Sequence, residues 1–140
     1  MSSNNTYSLT VNASTKHLAE VREFVANHAT QIGFDDKEVS DIRLAVDEAC
    51  TNIIKHAYKF DEKQNVIIKL GYNKDRFWVS LTDRGRSFNP ESYSKPDLRE
   101  QMKQRKRGGV GVYLIRELMD EVEYLTKDDV NVIRMYKNRN

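Results

Sequence analysis

The spacing of hydrophobic residues predicts a strand followed by a helix at the start of the chain. Residues 7–11 alternate apolar and polar side chains, which is typical of a strand with one buried face. Over residues 18–32 the apolar positions recur every three or four residues instead, so we expect a helix that packs one face against the core. Ser14 or Thr15 can cap this helix, and Gly33 can end it.

A second and longer helix is predicted to begin after Asp35. Asp35 and Glu38 have the spacing of a capping box, in which each side chain bonds the backbone amide of the other residue. The apolar positions that follow keep helical spacing, so we expect one continuous helix as far as Ala57. The buried stripe is expected to comprise Val39, Ile42, Val46, Ala49, Ile53 and Ala57.

Two strand pairs and a third helix are predicted in the rest of the chain. The strands are 66–72, 76–81, 121–126 and 132–137, and polar turn residues separate the members of each pair. The third helix is expected to begin at Gly111. The order of strand, two helices, hairpin, long loop, helix and hairpin predicts an α+β fold, with helices over a largely antiparallel sheet.

The long loop is polar and basic. Residues 83–107 contain both prolines of the chain, and residues 91–107 carry six lysines and arginines against three acidic residues. A long loop in a compact domain is usually functional or disordered, and a basic loop can bind polyphosphate. A solvated loop with incidental charge is the alternative.

Composition narrows the class of protein. With 140 residues, 39% hydrophobic and 31% charged, the chain fits one globular domain. A net charge of +2 gives no reason to expect direct binding of nucleic acid. The single cysteine, Cys50, excludes an internal disulfide and fits a reducing cytoplasm. Residues 1–10 contain no apolar run, so we expect neither a signal peptide nor a membrane span.

The second predicted helix carries a polar column on the side away from its apolar stripe. Glu48 and Asn52 are four residues apart and therefore project from nearly the same side, and His56 continues the column. A carboxylate can take a proton from a hydroxyl, and an amide oxygen is a hard ligand suited to Mg²⁺. On spacing alone, a solvated helix face is the simpler interpretation.

Two glycine-containing segments are further candidates. Asp83 follows a predicted strand and can accept a hydrogen bond from an exocyclic amino group such as that of adenine, while Gly85 lets a flat base approach the backbone. The glycines at 108–111 precede a predicted helix, where bare amides and the helix dipole favour phosphate. Their spacing fits neither a P-loop nor a dinucleotide fingerprint. Taken separately, an ordinary strand exit and a flexible hinge explain the two segments equally well.

Taken together and in this order, the three segments resemble the nucleotide-binding boxes of the GHKL ATPases, whose members include gyrases, heat-shock chaperones, histidine kinases and mismatch-repair proteins. Residues 48–52 with 56–58 are similar to the N box, 83–85 with Phe88 to the first glycine box, and 109–115 to the second. Within this superfamily the chain is most similar to the anti-sigma-factor serine kinases. The resemblance covers nearly the whole chain.

The resemblance implies a Bergerat-type fold, a two-layer α/β sandwich formed by a single domain over residues 1–140, with 91–107 as the ATP lid. It implies that Glu48 is the catalytic base for a serine hydroxyl, that Asn52 binds Mg²⁺, and that Asp83 binds the adenine amino group. The ATP-binding residues that it implies are Asn52, His56, Asp83, Gly85, Phe88, Gly108, Gly109, Val110, Gly111 and Val112.

The function that the resemblance implies is that of an ATP- and Mg²⁺-dependent protein-serine kinase acting as an anti-sigma regulator. Its substrate would be a serine on an anti-anti-sigma (STAS-type) protein, its competing partner a sigma factor, and its assembly a homodimer. The alternatives are a non-catalytic, nucleotide-gated module that sequesters a partner, and a kinase of the same fold in a stress-signalling scaffold. One departure from the family concerns Asp129-Val130-Asn131, which lacks the glycine-threonine pair often seen near the last strand.

Overall fold

The computed structural model describes residues 5–85 and 107–139, in which helices pack on one face of a five-stranded sheet. The strands are β1 (Asn5–Asn12), β2 (Asn65–Tyr72), β3 (Arg76–Asp83), β4 (Glu121–Lys127) and β5 (Val130–Asn138). The helices are α1 (Leu18–Gln31), α2 (Asp36–Asn52) and α3 (Arg107–Leu118). The predicted α+β class is confirmed. None of the helices in these ranges has the length and apolar character needed to cross a membrane.

The strand order is β1-β2-β3-β5-β4, and every neighbouring pair in the described ranges is antiparallel. The two predicted hairpins are present, but β5 rather than β4 lies beside β3. This order sets Asn131 of β5 opposite Asp83 of β3 on one side and opposite Thr126 of β4 on the other. Three polar residues therefore form a row at one end of the sheet.

The helix termini follow most of the sequence signals, but α1 itself begins after His17, which makes no side-chain capping bond. Ser14 caps a short 3₁₀ turn at Thr15–His17 that leads into α1, and Gly33 beyond the end of α1 has a φ of +106°. At α2 both bonds of the capping box are present: the Glu38 amide donates to Asp35 Oδ1 at 2.8 Å, and the Asp35 amide donates to Glu38 Oε1 at 3.0 Å. The predicted start of α2 is thus confirmed.

The end of α2 differs from the prediction. The α-helix ends at Asn52, and Ile53–Ala57 forms a π-helical turn in which the Tyr58 amide donates to the Ile53 carbonyl at 2.9 Å. The prediction of one continuous α-helix to Ala57 is wrong here. The spacing of apolar residues does not distinguish a π-helical turn, whose bonds join residues five apart, from an α-helical turn, whose bonds join residues four apart. Ile53 is buried in either geometry.

Helix α3 begins at Arg107, four residues before the predicted start at Gly111. Glycine has a low helix propensity, so the glycines at 108–111 led to a predicted helix start that is too late. In the structure these glycines are part of the helix. Ile115 and Met119 on and just after α3 belong to the core. Gly108 and Gly109 consequently lie within the first turn of the helix rather than ahead of it, and Gly111 lies at the start of the second turn.

The core lies between the sheet and the helices, and the opposite face of the sheet carries Trp78. Its largest fully buried side chains include Phe77, Ile42, Ile54, Ile68, Leu70, Leu81, Ile115 and Met135. On the opposite face the indole of Trp78 lies against Gly71, where an added Cβ would stand 2.6 Å from Trp78 Cζ2. The Arg134 guanidinium is 5.4 Å from the centre of the same ring. Glycine at position 71 is therefore required by the tryptophan beside it.

Candidate functional site

Two buried polar side chains, Asp83 and Asn131, face each other across β3 and β5. Asp83 is 6% exposed, and its Oδ1 accepts hydrogen bonds from Asn131 Nδ2 at 3.0 Å and from the Gly85 amide at 2.9 Å. Burial raises the pKa of the Asp83 carboxyl, whereas both of these hydrogen bonds act to lower it. A buried carboxyl with such donors is a strong, directed acceptor when it is ionised.

Asn131 is a site residue that the sequence analysis did not single out. Its Oδ1 accepts a hydrogen bond from Thr126 Oγ1 at 3.0 Å, and its Nδ2 also lies 3.3 Å from the Gly85 carbonyl oxygen. The signal in the sequence is the alternation of β5, in which Asn131 shares the inward face with Ile133 and Met135. A polar residue at an inward position of a strand needs a buried partner.

Gly85 packs directly on the π-helical turn. A Cβ added there would stand 2.7 Å from the Ala57 carbonyl oxygen, which is closer than real side chains approach. Beside this contact, the Tyr58 hydroxyl accepts a hydrogen bond from the Arg84 amide and donates one to the Asn65 carbonyl, each at 2.7 Å. The end of the predicted N box and the predicted first glycine box are thereby held together.

The polar column of α2 is only partly preserved. Glu48 and Asn52 are both half-buried on α2, whereas His56 lies on the π-helical turn and is exposed. The wider turn breaks the four-residue spacing that the prediction assumed for His56, because its bonds span five residues. Glu48 and Asn52 therefore remain neighbours on one helix, and His56 belongs to a separate element.

Cys50 lies within the predicted N box but belongs to the core. The residue is 1% exposed, and burial, followed by the nearby Asp47 carboxylate, raises the pKa of its thiol to about 12. A thiol with such a pKa stays protonated and is a poor nucleophile at neutral pH. The Cys50 thiol is therefore not a candidate nucleophile of this segment.

The second glycine box lies in the first turn of α3, and α2 contacts both α3 and β3. The backbone amides of a first helical turn have no partner within the helix, so this turn has the geometry that binds phosphate. Phe88 and nearly all of the predicted lid, 91–107, lie outside the described residues. The elements that carry the described parts of all three boxes are thus neighbours, joined through α2 and the π-helical turn.

Comparisons with known proteins find similar chains over most of this sequence. Residues 11–137 match the family model of the histidine kinase-like ATPase domain. The chain is 34% identical to the serine-protein kinase RsbW of Halalkalibacterium halodurans over 91% of this chain and 79% of that protein. It is 35% identical to the RsbW of Bacillus subtilis over 87% of this chain and 79% of that protein.

A solved structure shares the fold. The crystal structure of the RsbU and RsbW domains of a Mycobacterium tuberculosis protein superposes with a TM-score of 0.69 at 17% identity. The match covers 97% of this chain and 33% of the other, so this chain spans about a third of that protein.

Proposed function

This chain belongs to the histidine kinase-like ATPase domain family, and we propose that it is an ATP-dependent protein-serine kinase of the anti-sigma type. The observation that carries the proposal is the buried acceptor Asp83, which Gly85 joins to the π-helical turn that continues the helix of Glu48 and Asn52. Relatives that match most of the chain are serine-protein kinases by name. An adenine acceptor and a candidate base are thus carried by adjoining elements.

Asp83 is proposed to bind the 6-amino group of adenine. An ionised carboxylate accepts a hydrogen bond from that amino group more strongly than a neutral acceptor does. Gly85 lets the segment after Asp83 pack on Ala57, because a Cβ there would stand 2.7 Å from the Ala57 carbonyl oxygen, and its backbone is proposed to lie beside the base. His56 and Phe88 are proposed to line the same nucleotide.

Asn52 is proposed to hold Mg²⁺ through its side-chain oxygen. Within 5–85 and 107–139 there is no cluster of three or more metal-ligating side chains. Mg²⁺ is usually bound by one or two protein ligands together with substrate phosphates and water, so one carboxamide oxygen can serve as its protein ligand. When bound, the ion neutralises charge on the phosphates. Residues 108–112 are proposed to lie at the phosphates, with the backbone amides of Gly108 and Gly109 in the first turn of α3 as the donors and 91–107 as the lid.

Glu48 is proposed to act as the base in phosphoryl transfer. Its carboxylate takes the proton from a substrate serine hydroxyl, while that oxygen forms a bond to the γ-phosphorus. The bond from the γ-phosphorus to the bridging oxygen breaks, so ADP leaves, and Glu48 later returns its proton to solvent. Such a transfer depends chiefly on positioning and charge stabilisation, which suits residues fixed on one helix.

The proposed substrate is a serine on an anti-anti-sigma protein of the STAS type, and the proposed competing partner is a sigma factor. We further propose a homodimer that works in the cytoplasm. The single, buried cysteine supports that location, because free thiols are typical of reducing compartments.

Incubation with γ-labelled ATP, Mg²⁺ and a candidate anti-anti-sigma protein tests the proposal. We expect label to appear on the partner, and to be absent when its acceptor serine is changed to alanine. Binding of ATP without transfer to any serine-bearing partner would replace the kinase with a nucleotide-gated binding module.

A further inference from the structure

A chain of hydrogen bonds crosses the three strands at the end of the sheet. The Thr126 hydroxyl donates to Asn131 Oδ1 at 3.0 Å, and Asn131 Nδ2 donates to Asp83 Oδ1 at 3.0 Å. A carboxamide has one accepting and one donating end, and an ionised carboxylate only accepts, so the carboxylate on β3 takes the donating end and the hydroxyl on β4 anchors the other. The reverse orientation would set the amide oxygen against an ionised carboxylate.

The donors that reach Asp83 from the described residues both bond the same oxygen. Asn131 Nδ2 and the Gly85 amide converge on Oδ1, which leaves Oδ2 as the oxygen for a ligand. The Gly85 amide belongs to the backbone and would be present with any side chain at that position. Asn131 is therefore the one side chain in these ranges that orients the acceptor.

We propose that Asn131, held by Thr126, is a positioning residue for adenine recognition, which keeps Asp83 ionised and turns Oδ2 toward the 6-amino group. The inference rests on the proposed nucleotide site and extends it to residues outside the predicted boxes. It also assigns a role to the segment that departs from the glycine-threonine pair. Its ligand class is a purine nucleotide with a 6-amino group.

The ionisation of Asp83 matters because a protonated carboxyl would become a donor. Burial favours the protonated form, and the hydrogen bond from Asn131 opposes it. Among the described residues, the titratable group that interacts electrostatically with Asp83 is Tyr58, directly after the π-helical turn, and Arg84 is the charged neighbour of Asp83 along the chain. The neighbouring strands contribute the neutral side chains of Asn131 and Thr126. If the hydrogen bond from Asn131 is lost, neither of these two side chains supplies a positive charge that could stabilise the ionised Asp83 carboxylate in its place.

The experiment measures ATP affinity between about pH 5.5 and 8 for the parent and for Asn131→Leu, which is similar in size but cannot donate. Binding requires ionised Asp83, so a higher pKa of that carboxyl moves the loss of binding to higher pH. We expect Asn131→Leu to bind ATP about tenfold more weakly than the parent at pH 6 and less than about threefold more weakly at pH 8. The titration of the Asp83 carboxyl, followed by carbon NMR without nucleotide, is expected to move the same way.

Matched variants separate positioning from packing. Thr126→Val, at an exposed position, is expected to give a smaller shift in the same direction, and Thr126→Ser is expected to behave as the parent. Asn138→Leu makes the same side-chain change at the exposed end of β5 and should leave the pH profile unchanged.

Equal weakening at every pH in Asn131→Leu and Thr126→Val would assign these residues a structural role only and overturn the inference. If Asn131→Leu does not fold, Thr126→Val alone decides between these outcomes. Failure of the parent to bind ATP would instead overturn the proposed function. In that case the carboxyl titration without nucleotide still shows whether Asn131 controls the ionisation of Asp83.

Discussion

The two ends of the candidate site are built in different ways. At the proposed adenine end, Asp83 and Asn131 are buried, and hydrogen bonds between three strands fix them. At the proposed phosphate end, Glu48 and Asn52 are half-buried on one helix. Asp83, the proposed hydrogen-bond acceptor for adenine, is therefore part of the packed interior, whereas the proposed catalytic residues are partly exposed side chains on a helix.

Because of this difference, we expect substitutions at the two ends to affect different properties of the protein. Changes at the adenine end should alter nucleotide affinity and, where packing is affected, the free energy of unfolding. Changes on the α2 column should alter rate with little change in stability, because few core contacts depend on those side chains. Four variants test this separation, and they follow in order of expected effect.

Glu48→Gln is expected to have the largest effect. It keeps the shape of the side chain but removes its basicity, which typically lowers a rate by about 10²–10⁴. ATP affinity and the melting temperature should change little. Phosphoryl transfer to the partner, together with a nucleotide titration, measures this. Glu23→Gln, at an exposed position on α1, is the matched control. A parental rate in Glu48→Gln would remove Glu48 from the role of base.

Asp83→Asn should show the opposite pattern. Loss of a hydrogen bond to a charged group is worth about 1.5–3 kcal/mol, so ATP affinity should fall by about 10- to 150-fold. The melting temperature without nucleotide should not fall, because a neutral amide is easier to bury and its oxygen can still accept both protein bonds. Calorimetric titration and thermal unfolding measure the two quantities. Unchanged affinity would place the adenine elsewhere.

Gly85→Ala is expected to affect both properties together. The new Cβ would meet the Ala57 carbonyl at 2.7 Å, and overpacking of this kind costs about 1–3 kcal/mol. Adding Ala57→Gly removes the Ala57 Cβ, which is 2.8 Å away, but not the carbonyl, so rescue should be partial. Urea unfolding of the single and double variants measures this. Parental stability in Gly85→Ala would show that the turn yields easily.

Tyr58→Phe should give the smallest loss. It removes the hydroxyl that bonds the Arg84 amide and the Asn65 carbonyl, and each bond contributes about 1 kcal/mol. Stability should fall modestly, and ATP affinity should fall with it if the hydroxyl helps to hold the first glycine box against the turn. A loss of affinity without any loss of stability would instead indicate direct contact with the nucleotide.

Local sequence signals predicted most of the fold because its elements are periodic and capped. The capping box of Asp35 and Glu38 is present with both bonds, and the predicted hairpins are observed. The π-helical turn was not predictable from periodicity, since Ile53 and Ala57 fit the spacing of an ordinary helix. The start of α3 was misplaced because glycine propensity conflicts with packing.

From the sequence, residues of the candidate site could be named only where the local sequence around each one marks it as a candidate. Asp83 and Gly85 stand at a strand exit in the sequence, so they could be identified individually. Asn131 could not be identified in this way, because it lies beside Asp83 only when β5 rather than β4 pairs with β3. That pairing is a long-range property of the sheet. The roles of Asp83, Gly85, Glu48 and Asn52 all remain predictions.

The position of Trp78 allows its intrinsic fluorescence to report on one face of the sheet. Trp78 is the single tryptophan of the chain, and it lies on the face of the sheet opposite Phe77, Val79 and Asp83. Its emission therefore reports on one surface only. Nucleotide binding near Asp83 should leave the spectrum nearly unchanged, whereas a protein that covers the outer face should shift it. Stopped-flow fluorescence without any added dye can thus distinguish encounters on the two sides of the sheet.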